Sequence, residues 1–346
     1  MRLFEPFDLG AQPPLSLPNR IVMAPLTRCM AGPGGVPTAA MTGYYARRAA
    51  AGLIIGEATV ISPEALGYPN VPGLYDDAQQ EGWRAVTTAV HGAGGRMFAQ
   101  LWHTGRAAHS IFSGQQPVAP SAVALDGTLP RMRRLRYEEP RALEEADLER
   151  ILDDFARAAE RAVSAGFDGV ELHGANGYLI DQFLHYQTNQ RDDAWGGSPE
   201  RMAAFPLRVV DRLLQTLGRT PLGLRLSPSA HVHLEGEARD RAVFDHLLRE
   251  LAGRPLAYVH LGLYDDRPID EHLGERATEY LRKAYPGVLI GVGSYTAERA
   301  EQALERGDFA LCAFGRPFIA NPDLVERLQQ GRALEPYDPI HLQQLI

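Results

Sequence analysis

Lysine is nearly absent from this chain: Lys283 is the only one among 346 residues, and it falls within a helical pattern. Schiff-base chemistry needs such an amine in a pocket, so this scarcity weighs against it. Cysteine is as rare. Cys29 and Cys312 are the only two and form no Cys-x-x-Cys, which argues against an iron–sulfur or zinc–thiolate centre; no metal site is expected. Two cysteines make no disulfide framework, in keeping with a reducing compartment. No apolar run is long enough to span a bilayer, and residues 1–6 lack the basic-then-apolar pattern of a signal peptide. A cytoplasmic protein is therefore expected. Positive charge is in deficit, 35 Lys and Arg against 43 Asp and Glu, and the net −8 disfavours nucleic acid or an anionic membrane as partner. Internal repeats and low-complexity linkers are missing too. The whole of 1–346 reads as one domain, as a monomer or homodimer.

What is present is alternation. Short apolar runs predict strands at residues 19–24, 52–58, 96–101, 167–172, 222–226, 257–261, 288–292 and 309–314. Helical patterns follow them at 39–51, 79–93, 144–165, 200–217, 239–251, 271–285, 297–306 and 323–330. Ser198 before Pro199, and Thr296 before Ala297, are cap-like starts. Eight strand–helix units predict a (β/α)₈ TIM barrel. Such a barrel needs about 250 residues. The surplus lies in an N-terminal lead-in, residues 1–18, and in a long excursion after the third strand, residues 102–141. A connection of that length suggests a lid or binding loop. It carries Arg131, Arg133, Arg134 and Arg136, either a solvated basic run or a contact for an anionic cosubstrate.

The densest chemistry follows the fourth strand, in His173-Gly174-Ala175-Asn176-Gly177-Tyr178. Active sites of these barrels lie at the C-terminal strand ends. His173 and Asn176 can donate to one carbonyl oxygen, and stabilise charge there when hydride adds to the β-carbon of a conjugated carbonyl. Tyr178 can then protonate the α-carbon. Two late strands end in glycine, Gly293 and Gly315, with Arg316 beside the second. Backbone N–H groups there can approach a phosphate closely. Gly291-Val292-Gly293 lacks the third glycine of a dinucleotide fingerprint. Other strand ends carry Pro25-Leu26-Thr27, Gln100 and Trp102. Arg225 is a cation within an apolar strand, destined either for a carboxylate or for charge on a reduced flavin ring. Tyr68 and Phe318 are aromatics near loop ends. His91, His185 and Cys312 read as packing or surface, and Cys29 has nothing evident nearby to lower its pKa.

Four segments carry a resemblance. They are Asn19-Arg20-Ile21-Val22-Met23-Ala24-Pro25-Leu26-Thr27-Arg28, Gln100-Leu101-Trp102-His103-Thr104-Gly105-Arg106, the stretch 173–183, and Phe314-Gly315-Arg316-Pro317-Phe318-Ile319-Ala320-Asn321-Pro322. Together they resemble the Old Yellow Enzyme family of flavin oxidoreductases, over residues 3 to about 335. The resemblance implies a barrel holding FMN non-covalently. It implies hydride passing from NADPH or NADH to FMN, and from flavin N5 to an activated alkene such as an α,β-unsaturated carbonyl, imide or nitroalkene. By position, His173 and Asn176 would bind the substrate oxygen and Tyr178 would donate the proton. Thr27, Gln100 and Arg225 would meet the flavin pyrimidine, and Pro25, Leu26 and Ala58 would line the ring. Gly293, Gly315 and Arg316 would hold the phosphate; Tyr68, Trp102 and Phe318 would shape the substrate pocket. Thr27 with Arg28 is similar to the classical branch. The family's usual arginine after Gly-Gly-Ser-x-Glu-Asn is replaced here by Met202, with Arg201 one place earlier.

Two other classes remain in view. A flavin-free phosphate-binding aldolase or isomerase would need a strand-end lysine or glutamate; Glu57 is so placed but has no evident partner in the sequence. A flavin-binding protein without turnover would not need the set His173, Asn176 and Tyr178.

Overall fold

The computed structural model describes residues 1–10, 14–130, 132–230 and 232–346. Arg131 of the basic run lies outside the described residues. Eight strands form the barrel: β1 (Ile21–Met23), β2 (Leu53–Ile55), β3 (Met97–Trp102), β4 (Gly169–Gly174), β5 (Leu222–Leu226), β6 (Tyr258–Leu261), β7 (Leu289–Gly291) and β8 (Leu311–Phe314). Each pairs in parallel with the next. Cys312 of β8 lies opposite Ile21 of β1, which closes the ring. Every residue of these strands is buried. Covered on both faces, they read as unbroken apolar runs rather than alternating ones.

The outer layer holds α1 (Ala39–Ala46), α2 (Asp77–Gly92), α3 (Glu145–Ser164), α4 (Pro199–Leu217), α5 (Asp240–Leu251), α6 (Ala277–Ala284), α7 (Ala297–Arg306) and α8 (Leu324–Gln329). The Ser198 and Thr296 side chains accept from the N–H groups of Arg201 and Arg299, as their positions predict. Two helices are shorter than the periodicity suggests. α1 stops before residue 51 because Arg48 turns inward, where the carbonyls of Tyr44, Phe318 and Ile346 accept from its guanidinium. α6 starts only at Ala277. The Asp270 carboxylate accepts from His272 and Leu273 N–H, and this local turn replaces the first helical turn.

The lead-in is a hairpin, Phe7–Leu9 antiparallel to Leu15–Leu17, with Leu3, Leu9 and Leu17 fully buried. Gly10 packs near Pro221 and Ala257, at the N-terminal ends of β5 and β6. The hairpin therefore covers the barrel's lower mouth and leaves the C-terminal end for chemistry. In the excursion after β3, Val118–Ala119 pairs in parallel with Arg141–Ala142, tying its two limbs together. Among the described residues no helix is long and apolar enough to cross a membrane.

Candidate active site

The ends of β1, β5, β7 and β8 open on one cavity. Pro25, Leu26, Asn176, Arg225, Gly293, Gly315 and Arg316 all line it, joined by Ala24, Tyr264 and Phe314. Gly293 has φ +131, and a Cβ there would come 2.6 Å from the Asp266 nitrogen, so only glycine fits this turn. The Arg316 guanidinium lies over Tyr264, 4.6 Å from the ring centroid. Arg225 is 9% exposed, and its Nε–H has no hydrogen-bond partner among the described residues. A buried guanidinium with an unanswered N–H at a cavity wall is costly unless a ligand completes it.

Beneath the cavity the barrel interior is polar. Gln100 Nε2 donates to Glu171 Oε1 at 2.7 Å, and Glu171 Oε2 lies 2.9 Å from His260 Nδ1. Burial alone would raise the Glu171 pKa, but His260, Arg225 and Gln100 outweigh it and hold the carboxyl below its usual range. The carboxylate also fixes Gln100. With its NH₂ committed to Glu171, the amide carbonyl remains for another donor.

The turn after β4 assembles the donors. Asn176 and Gly177 both have positive φ, +62 and +74. Asparagine tolerates this conformation and glycine favours it, so the sequence Asn-Gly sets the turn. His173 Nδ1 accepts from the Ala175 N–H at 3.4 Å, which leaves the proton on Nε2. Burial, with help from Arg225 and His260, drives its pKa well down, so the ring is neutral and Nε2–H is a donor. Asn176 Oδ1 is buried without a partner among the described residues. Tyr178 is 8% exposed, edge-on to Trp102 and His173 at 4.8 and 5.1 Å. Burial raises its pKa far above the ordinary phenol value, which keeps the hydroxyl protonated. Tyr68 stacks on Trp102 at 5.4 Å, with its hydroxyl 2.9 Å from that of Tyr178.

A family model described as NADH:flavin oxidoreductase / NADH oxidase matches residues 2–335. The chain belongs to the Old Yellow Enzyme family. It is 39% identical, over 97% of its length and 93% of the relative, to a probable flavin mononucleotide-dependent alkene reductase of Leishmania infantum. It superposes on an old yellow enzyme homologue from Zymomonas mobilis with TM-score 0.92 and 40% identity, covering 99% of this chain and 96% of the other. Against morphinone reductase in complex with tetrahydroNAD the TM-score is 0.89 at 43% identity, covering 99% and 94%.

Old Yellow Enzyme family members bind FMN and use NAD(P)H. The residues fit that cofactor. Arg225 offers its unanswered N–H, the glycine turns and Arg316 suit a phosphate, and Pro25, Leu26 and Phe314 present apolar surface. Thr27 follows half-buried, and Ala58 is buried beside Glu57. Phe318, expected on the substrate pocket, has no exposed surface and packs in the core. Met202 likewise is fully buried in α4, while Arg201 donates to the Asp193 carbonyl. Glu57 does have partners. Its carboxylate accepts from the Arg28 N–H at 3.0 Å and the Tyr45 hydroxyl at 3.2 Å. Burial pushes its pKa up to about 7, against those two donors.

Behind the donor turn lies a scaffold the sequence did not reveal. Asp181 Oδ2 accepts from Ser227 Oγ and the Gly177 N–H, and Ser227 Oγ accepts from the Asn176 N–H. His185 bridges Asp181 and Asp240 at 3.3 and 2.8 Å, wholly buried. In the sequence Asp181 and His185 lie between predicted helices, His185 reads as packing or surface, and Asp240 sits at the start of a helical pattern. Only the i, i+4 spacing of Asp181 and His185 could have hinted at a pair.

Proposed function

We propose that this NAD(P)H:flavin oxidoreductase is an FMN-dependent ene reductase of the classical branch, acting on α,β-unsaturated carbonyls, imides or nitroalkenes. One observation carries the reading: a neutral His173 with Nε2–H available, the Asn176 amide and a protonated Tyr178 hydroxyl meet at one strand end. The alkene reductase among the relatives supports it, and Thr27 followed by Arg28 supports the branch.

Thr27, Gln100 and Arg225 would hold the pyrimidine edge of FMN; Pro25, Leu26 and Ala58 would line its ring; Gly293, Gly315 and Arg316 would take its phosphate. When bound, FMN would supply the hydride chemistry, with a reduced nicotinamide as the source of hydride. His173 and Asn176 donate to the substrate oxygen and stabilise the negative charge that builds there. Tyr178 gives its hydroxyl proton to the α-carbon. Tyr68 and Trp102 wall the space above and exclude water. The one lysine is no rival nucleophile, for Lys283 lies exposed on α6, paired with Glu275.

The test is spectroscopic. A flavin band should bleach with NADPH under anaerobic conditions and return on adding 2-cyclohexenone. A colourless protein that cannot be reconstituted with FMN would overturn the proposal. In the Tyr178→Phe variant we expect bleaching to persist while alkene-driven return slows by about 100-fold or more. Return at the unaltered rate would remove Tyr178 as the proton donor.

A further inference from the structure

Giving a proton to carbon leaves Tyr178 as a phenolate. Burial disfavours that anion, since the phenol is held far above its ordinary pKa. It must regain a proton before the next turnover. On its open side stand the substrate donors and the cofactor cavity, so a supply route from the other side has value. The structure contains one.

The Tyr178 hydroxyl is 2.9 Å from the Tyr68 hydroxyl, and the Tyr68 hydroxyl is 3.1 Å from His233 Nε2. Both phenols can donate and accept at once. His233 is half-buried on the loop after β5, next to the exposed Val232. Two hydrogen bonds thus connect a nearly buried acid with the protein surface.

This histidine is held in place by parts of the chain far from it in sequence. Arg106 Nη2 donates to its carbonyl oxygen at 2.7 Å. Its ring meets the edges of Tyr178 and Tyr137, at 5.4 and 6.0 Å. Gly177 lies against it, and a Cβ at that position would come 2.7 Å from the His233 Cβ. The donor turn and the loop after β5 are therefore fitted to each other.

We propose that Tyr68 and His233 form a proton relay that reloads Tyr178 after each transfer. This rests on the reading of Tyr178 as the proton donor. The Tyr178 O–H bond breaks as the α-carbon–hydrogen bond forms. The Tyr68 hydroxyl proton then passes to the Tyr178 oxygen, and the Nε2 proton of an imidazolium at His233 passes to the Tyr68 oxygen. No electrons change hands. Phenolate and imidazolium become phenol and imidazole, and His233 takes its next proton from water at the loop. Tyr178 is the catalytic residue; Tyr68 and His233 act through it.

The experiment is rapid mixing of the NADPH-reduced holoenzyme with excess 2-cyclohexenone and NADPH, comparing the first turnover with later ones. In His233→Phe the first turnover should keep nearly its normal rate, since Tyr178 starts loaded. Later turnovers should slow about tenfold or more, giving a burst of one product per site. Tyr68→Phe should slow later turnovers more than the first, and adding His233→Phe to it should slow them no further. His233→Gln separates the relay from packing. Glutamine can hold the hydrogen bond but cannot carry the proton, so the burst should remain. In His233→Ala, added imidazole should restore later turnovers.

A second reading needs no cofactor. With tyrosines labelled at 13Cζ, His233→Phe should shift the Tyr68 and Tyr178 resonances in the apoprotein. Full activity in His233→Gln, equal slowing of first and later turnovers in His233→Phe, or unshifted resonances would each overturn the relay. Absence of enone turnover in the unaltered holoenzyme would overturn the reading of the site and the relay with it.

Discussion

His185 shows how a single side chain can set the pH range in which the turn after β4 is firm. Burial alone would lower its pKa, but Asp181 and Asp240 outweigh that and hold it at about 9. In the unfolded chain the ordinary value is about 6.5. The folded value is raised, so the stabilisation is complete below about pH 6.5 and is lost as pH climbs through about 9. Urea unfolding should therefore show falling stability across that window. His185→Gln should flatten this slope and lower stability at neutral pH by roughly 3–5 kcal/mol, because two buried carboxylates lose their cation. An unchanged slope in the variant would disprove the assignment. The sequence made His173, Asn176 and Tyr178 legible because three polar side chains crowd one strand end. The His185–Asp240 contact and the contacts of His233 with Arg106 and Tyr68 were not legible: they span 55 residues or more, a separation that leaves no periodic mark. Glu57 misled for a different reason: one of its donors is a backbone N–H, which every residue type but proline carries.

At the scale of strands, space governs. Gly169, Gly223 and Gly291 lie in β4, β5 and β7, and none has a positive φ. Their need is for room. A Cβ on Gly169 would come 2.3 Å from Phe98, one on Gly223 would come 2.2 Å from Tyr258, and one on Gly291 would come 2.2 Å from Phe309. Phe98 and Tyr258 are the direct cross-strand neighbours of Gly169 and Gly223. Each large ring thus fills a gap left by the adjacent strand. Gly223→Ala should lower stability by about 1–3 kcal/mol through overpacking, visible as a reduced urea midpoint at an unchanged slope. An unshifted midpoint would show that Tyr258 can move aside. Strand positions were readable from short apolar runs. Helix starts were readable where Ser198 or Thr296 supplies a cap. Helix length failed at α1 and α6, where one inward arginine and one aspartate turn override the periodic pattern.

For the molecule as a whole, alternation of strand and helix was enough to expect the barrel, because closed parallel sheets need both faces covered. The lower covering was not foreseen as a hairpin; residues 1–18 carry few strand signals beyond Leu9, Leu15 and Leu17. Removing residues 1–18 should expose the barrel mouth, lower the thermal midpoint and increase binding of a hydrophobic dye; an unaltered midpoint would show the hairpin to be dispensable. The seam between β8 and β1 has a further consequence. Ile21 waits for Cys312, roughly 290 residues later in the chain. A ribosome adding about 5–20 residues each second leaves the first strand without its final neighbour for about 15–60 s. Throughout that interval the nascent chain displays a bare β1 edge, so its main exposure to wrong partners and to chaperones falls during synthesis, before a finished barrel exists to be tested.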